Sequence, residues 1–224
     1  GPGHQYVTKA KEMVQLDGIP IDMPAGPSEV LVIADKNADP AFIASDLLAQ
    51  AEHGPDSQVF LLTDTADIIK SVKKEIQRQS GLLTRKEIAL MALDNSSLIL
   101  LDTLDECMEF SNLYAPEHLI ISVSDPLVLA EKVTNAGSVF LGKYSCESAG
   151  DYASGTNHTL PTNGHAKNFS GVSTESFMKM ITFQEMSAEG LKNLGPVIEL
   201  MAEAEQLYGH KNAVTLRLKS LEND

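Results

Sequence analysis

The sequence predicts an α/β fold: a mostly parallel sheet with helices on both faces, an incomplete Rossmann-like arrangement, followed by a helical C-terminal tail. Three observations predict it. Short apolar runs alternate with amphipathic stretches from residue 29 to residue 142. The runs are nearly continuous in apolar residues, as in Glu29–Ala34 (EVLVIA), which is the pattern of strands buried on both faces. Beyond residue 172 the helical periodicity continues but no further strand occurs.

Taken in order, residues 7–15 have weak helical character, and Ile19–Ser28 (IPIDMPAGPS) is too rich in Pro and Gly for a helix. Strands follow at Glu29–Ala34, Gln58–Thr63, Ser97–Leu101, His118–Val123 and Ser138–Leu141. Helices are expected at Pro40–His53, Ala66–Gln79, Thr84–Leu93, Leu104–Tyr114 and Pro126–Asn135. Asp39-Pro40 is a start signal for the first of these, Gly54-Pro55 is its stop, and Pro116 ends the helix over 104–114. Gly142–Gly171 is dense in Gly, Ser, Thr and Asn and reads as a long loop, which in a compact domain is usually functional. Residues 175–187 hold a short element. Helices then run over 188–207 and 212–221, separated by Tyr208-Gly209-His210. In such folds ligands gather at the carboxyl ends of the strands. No G-x-G-x-x-G turn follows any strand, so the dinucleotide fingerprint is absent from this sheet.

The net charge of −14 carries no basic stripe, which weighs against nucleic acid as a partner. No run of eighteen apolar residues could span a membrane, and no basic-apolar-small start marks a secretory signal. Cys107 and Cys146 form no framework, so a reduced, cytoplasmic protein is the economical expectation. The chain opens Gly1-Pro2-Gly3 without an initiator Met, as a fragment or processed product would.

Three stretches could carry chemistry. Gln50 and His53 lie three apart on one face at a helix end, where an imidazole and an amide oxygen could hold a metal ion. An ordinary capped helix end has the same appearance. Glu117-His118 stands where a Pro-ended helix meets a strand; the carboxylate could activate water and the imidazole could take a proton. Spacing alone leaves open a plain turn followed by a strand. In the long loop, Asp151 and His158 sit among glycines that permit close approach of a ligand. Together with His210, the residues Gln50, His53 and Asp151 make a mixed N/O set suited to zinc, although spacing does not show that they converge.

Ile21–Val32 (IDMPAGPSEVLV), Gln50–Gln58 (QAEHGPDSQ), Tyr114–Leu119 (YAPEHL), Glu147–Pro161 (ESAGDYASGTNHTLP) and His210–Leu216 (HKNAVTL) resemble the histidinol dehydrogenase family, and the resemblance runs along essentially the whole chain. It implies zinc ligands at Gln50, His53, Asp151 and His210, with one Zn2+ per subunit, and a catalytic pair at Glu117 and His118. It implies substrate contacts at Ser28, His158 and Glu205, joined by His118 and the four ligands. It also implies a homodimer in which the second subunit donates the residue matching His210, and oxidation of L-histidinol through L-histidinal to L-histidine with two NAD.

The family chain is about twice this length, so residues 1–28 are expected to end a missing NAD-binding domain, 29–172 to form the zinc and substrate domain, and 173–224 to form a dimerisation tail. His4 stands where the family has Asn, at a position associated with NAD, and Cys146 and Asn163 also depart from the usual residues. A second reading is a zinc- and histidinol-binding dimerisation module that does not turn over without the NAD-binding half. A third, a metal hydrolase, rests on ligand types alone.

Overall fold

The computed structural model of the chain describes residues 5–24 and 26–222. Two compact units divide between Met178 and Lys179. In the first, helix α1 (Gln5–Leu16) precedes strand β1 (Glu29–Ala34), followed by α2 (Pro40–Ala51), β2 (Gln58–Thr63), α3 (Ala66–Ser80), α4 (Lys86–Asp94) and β3 (Ser97–Leu100). Then come α5 (Leu104–Tyr114), β4 (His118–Ser122), α6 (Pro126–Ala130), β5 (Ser138–Leu141) and α7 (Glu147–Tyr152). The five strands are all parallel, in the order β3-β2-β1-β4-β5. The chain thus builds outward from β1 in one direction, then crosses back to place β4 on the other side of β1.

Alternation along the strands divides the core into two layers. Val30, Val32 and Ala34 of β1 pack with Ile43, Leu47 and Leu48 of α2 and with Val72 of α3. Leu31 and Ile33 face the opposite way, against Cys107 and Met108 of α5 and Leu129 of α6. The reversal of winding direction carries the helices to the second face, as right-handed crossovers require. Burial of β1 is complete on both faces, which explains why its sequence shows no polar alternation.

The ends of two helices set the position of the polar residues at the amino end of the sheet. Asp39 caps α2 by accepting from the Ala41 N–H at 2.9 Å, and Pro40 occupies the first helical turn. α2 ends at Ala51, with Glu52 as its cap, so His53 lies in the turn just beyond the helix. α5 ends in a left-handed residue, Ala115 (φ 59°), whose N–H donates to Ser111 O at 2.7 Å. Pro116 then prevents continuation and delivers Glu117 and His118 to the start of β4.

The structure corrects the sequence reading in three places. The stretch 142–171 is not all loop, since it contains α7 and a 3-10 turn at His165–Lys167. Gly150, which reads as a loop signal, is a packing glycine: a Cβ there would lie 2.7 Å from Cζ of Phe140. The helix after β4 is also shorter than periodicity implies, stopping at Ala130. The third correction falls in the second unit, which pairs α8 (Ala188–Ala204) with α9 (Tyr208–Ser220). Tyr208-Gly209-His210 is the first turn of α9, and the break lies earlier, at Gln206, which adopts a left-handed conformation (φ 60°).

Within that unit Gly195 lets the helices approach, since a Cβ would meet Leu218 at 2.8 Å. Glu203 and Lys211 pair at 2.8 Å. Gly195 and Ala202 are its only buried residues among those described, while Leu194, Val197, Leu200 and Met201 are exposed.

Candidate functional site

The groups singled out in the first unit converge at the amino ends of β1 and β4, not at the carboxyl ends where the fold class predicts a ligand. The physical reason is local: the carboxyl end of α2 runs antiparallel to the strands and brings Gln50 and His53 back to the level at which β1 and β4 begin. A small cavity of about 130 Å³ opens there. Ser28, Gln50, His53, Glu117, His118, Asp151 and His158 all line it, together with Gly26, Thr159, Leu160 and Thr162. Glu205 caps the end of α8 and His210 lies in the first turn of α9, both exposed residues of the second unit. His4 lies outside the described residues.

His118 is almost wholly buried, and its two ring nitrogens are in different situations. Nδ1 lies 3.0 Å from the carbonyl of Glu29, which can only accept, so Nδ1 carries the proton. Nε2 is then a lone-pair nitrogen; it is buried without a hydrogen-bond partner and is 3.8 Å from Oδ1 of Asp151. Burial lowers the pKa of the ring from its ordinary value, so the neutral, basic form is favoured. A second buried polar atom without a partner, Ser111 Oγ, does not line the cavity.

Glu117 accepts from the Glu29 N–H at 2.9 Å and lies 3.6 Å from His118 Nδ1. Its distance from His118 is that of an ion pair, yet burial disfavours both charges. Burial first, and then the charges of Glu29 and Asp151, push the Glu117 carboxyl up to about 8.

Glu147, which residue spacing does not single out, belongs to the same site. It is buried in the first turn of α7, one turn before Asp151, so both carboxyl groups face the end of α2. Ligand atoms of His53, Glu147 and Asp151 lie within 4.8 Å of one another. The Gln50 amide and the Glu147 carboxylate are in direct contact. Turned one way, the amide nitrogen donates to Glu147 and its oxygen accepts from the Glu29 N–H at 3.1 Å. Turned the other way, two oxygens face each other, which a proton on Glu147 or a cation between them makes favourable. Burial, reinforced by the charges of Asp151, Glu117 and Asp46, pushes the Glu147 carboxyl up to about 9.

Asp46, one turn earlier on α2, is raised by burial to about 7. This concentration of oxygen ligands around one imidazole, at a helix carboxyl terminus whose dipole favours positive charge, fits a divalent cation. The sequence does hold a signal for Glu147: it is spaced i, i+4 from Asp151, but only on a helix that the Gly and Ser content conceals.

Comparison with known proteins gives this geometry a context. A family model described as histidinol dehydrogenase matches residues 1–218. The histidinol dehydrogenase of Bacteroides thetaiotaomicron is 58% identical over 221 residues, which cover 99% of this chain and 52% of the relative. That of Yersinia pestis is 55% identical over 225 residues, covering 100% of this chain and 51% of the relative. The crystal structure of histidinol dehydrogenase from Elizabethkingia anophelis superposes with a TM-score of 0.95 at 60% identity, covering 99% of this chain and 51% of that one. The chain therefore spans about half the length of the curated relatives it matches. Over essentially all of its own length, however, the match is continuous in both sequence and structure, and the chain belongs to the histidinol dehydrogenase family.

Proposed function

We propose that this chain supplies the zinc- and substrate-binding part of an enzyme that oxidises L-histidinol, through L-histidinal, to L-histidine with two NAD. The observation that carries the reading is the buried, unpartnered Nε2 of His118, which faces the same small cavity as the His53–Glu147–Asp151 cluster. A base without a partner beside a cation-binding cluster is what an alcohol dehydrogenation requires.

Gln50, His53 and Asp151 would hold zinc, with His210 of a second copy as the fourth ligand in a homodimer. Zinc when bound supplies a Lewis acid that fixes the imidazole and amino nitrogens of histidinol. The residues of the chain do the rest. Ser28 and His158 line the cavity and orient the substrate, and Glu205 would join them from the tail of the second copy. His118, neutral and with its proton held on Nδ1 by Glu29 O, accepts the hydroxyl proton at Nε2 as hydride leaves the carbinol carbon. Glu117, whose affinity for a proton is raised by burial, takes a proton from the water that hydrates the aldehyde, and the hydrate yields the second hydride. NAD would be taken from a site outside the residues that line the cavity. The exposed apolar side chains of α8 support a tail that docks on another copy. Among the described residues no helix is long and apolar enough to cross a membrane. Cys107 and Cys146 are both free thiols, which supports work in a reducing cytoplasm.

The second reading is a zinc- and histidinol-binding module without turnover, the role this span would have apart from the rest of its relatives' length. Metal analysis and calorimetry on the chain test what the two readings share: about one zinc per chain and histidinol binding that His53→Ala and His210→Ala abolish. Zinc near zero that neither variant changes overturns both. NADH formation from histidinol by the chain alone overturns the module reading. No NADH after the amino-terminal half of the Bacteroides thetaiotaomicron relative is supplied overturns the enzyme reading.

A further inference from the structure

Glu29 is the first residue of the most buried strand, with only 4% of its surface exposed. A carboxyl group at that position is costly unless its oxygens find donors, and an apolar residue would continue the strand at no such cost. Its backbone reaches two side chains of the site. Its N–H donates to Oε2 of Glu117 at 2.9 Å, and its carbonyl accepts from His118 Nδ1 at 3.0 Å. Its carboxylate reaches elsewhere, with Oε1 accepting from the Asn163 N–H at 2.8 Å and Oε2 lying 3.4 Å from the Glu117 N–H.

Asn163 is a left-handed residue (φ 55°) that closes the stretch beginning at His158. The preceding residue, Thr162, accepts a second tie from the Gly26 N–H. The backbone of Glu29 therefore holds the side chains of both candidate catalytic residues, and its carboxylate holds the main chain of one of them and the loop that carries His158. Any residue at position 29 keeps the backbone bonds. Only a carboxyl-bearing side chain offers two oxygens that can accept the other two.

We propose that Glu29 is the positioning residue of this site: its carboxylate locks the 158–163 loop and the Glu117 main chain into one geometry, so that Glu117, His118 and His158 face the cavity together. The kinetic part rests on the function proposed above; the structural part does not. In Glu29→Gln the amide nitrogen faces one of the two N–H donors and one of the two bonds is lost.

The test uses zinc-loaded, full-length enzyme carrying this segment, with kinetics and amide hydrogen exchange measured on the same preparation. Glu29→Gln is expected to lower kcat for histidinol by about 10- to 100-fold with KM within about twofold and zinc content unchanged, because misplacement acts on the transition state. Exchange at whichever of the Asn163 and Glu117 amides loses its acceptor should quicken about tenfold while Val32 and Ile120 in the sheet stay protected. Added to Glu117→Gln, the substitution should cost little more, since it acts through that residue. Should Glu29→Gln fail to fold, Glu29→Asp, which keeps the charge but shortens the reach, should show the same pattern in weaker form.

An unchanged kcat in an active enzyme overturns the proposal, as do unchanged exchange at those two amides or a joint loss of kcat, KM, zinc and sheet protection. If the parent enzyme forms no NADH from histidinol, it is the functional reading that falls, and the exchange measurement alone decides the role of Glu29.

Discussion

The two ends of the central sheet carry similar residues in opposite states. At the carboxyl end, Asp35 follows β1 beside the point where the winding direction reverses, between β1 and β4, the usual ligand crevice of such folds. Its Oδ2 accepts from Ser124 N–H and Oγ–H at 2.7 and 2.6 Å, and its Oδ1 accepts from Asn37 N–H at 2.8 Å. Asn37 Nδ2 donates in turn to Ser124 Oγ at 2.8 Å. Partial burial raises the Asp35 carboxyl, but these bonds outweigh it and hold the group below the ordinary carboxylate range. At the amino end Glu29, Glu117 and Glu147 are raised instead, and His118 Nε2 has no hydrogen-bond partner.

A crevice of about 230 Å³ remains at the carboxyl end, yet its central carboxylate is already spent on the loop that bounds it. What separates a latch from a reactive site is therefore not the residue type but whether its hydrogen bonds are satisfied within the chain.

The strongest way to break this comparison is to remove the unpartnered base. In full-length enzyme carrying this segment, His118→Gln should lower kcat for histidinol oxidation by about 1,000-fold, the scale of a lost general base. Zinc content should not change. Steady-state NADH formation and metal analysis check it, and a loss below about tenfold would remove His118 from the role of base.

Next in size is the effect of Glu147, which touches Gln50 and belongs to the cation cluster. Replacing it by Gln removes a buried acidic neighbour of the proposed zinc ligands and should weaken zinc binding by about 10- to 100-fold. Competition against a chelating dye measures this on the chain itself. The corresponding change at the other end of the sheet, Asp35→Asn, should leave zinc affinity alone.

The same contrast has a pH signature in chain stripped of metal by a chelator. Glu29, Glu117 and Glu147 have folded pKa values raised to about 7, 8 and 9, against an ordinary 4.5. A group raised by folding stabilises the fold fully below its unfolded pKa and loses that contribution as pH rises through its folded pKa. Stability from this end of the sheet should thus fall between about pH 5 and pH 9. Asp35 has the opposite sign, its contribution being lost only as pH falls below the carboxylate range. Urea midpoints at about pH 5, 7 and 9 should decline in that order, and Glu147→Gln should flatten the decline.

How much of this is legible in the sequence differs between fold and site. The five strands are readable because parallel strands buried on both faces must be continuously apolar, and EVLVIA or QVFLLT has little else to become. Gln50, His53, Glu117, His118, Asp151 and His158 are identifiable as residue types, and the structure places them around one cavity. Their end of the sheet is the opposite of the one that the general rule for doubly wound folds points to. Yet Ser28, Glu117 and His118 all stand at strand starts, and that alone points to the amino end. Glu147 is hidden by a glycine that serves packing against Phe140. Glu29 is hidden because a charged residue before an apolar run reads as a strand boundary, and a sequence does not display the donors from residues 117 and 163 that make its burial tolerable.

The smallest expected effect sharpens the comparison from the quiet side. Asp35→Asn replaces a carboxylate that accepts three local bonds with an amide that must turn its nitrogen toward one of those donors. The cost should be about 1 kcal/mol of stability, the scale of one imperfect hydrogen bond at a partly exposed position. Denaturant midpoints of parent and variant at neutral pH measure it. Because the change lies beyond the opposite end of β1 from Glu29, kcat, KM and zinc affinity should stay within about twofold, as expected for sites that share no partners. A large loss of activity in this variant would mean that the two ends of the sheet are coupled through β1, and that the carboxyl-end latch belongs to the working machinery.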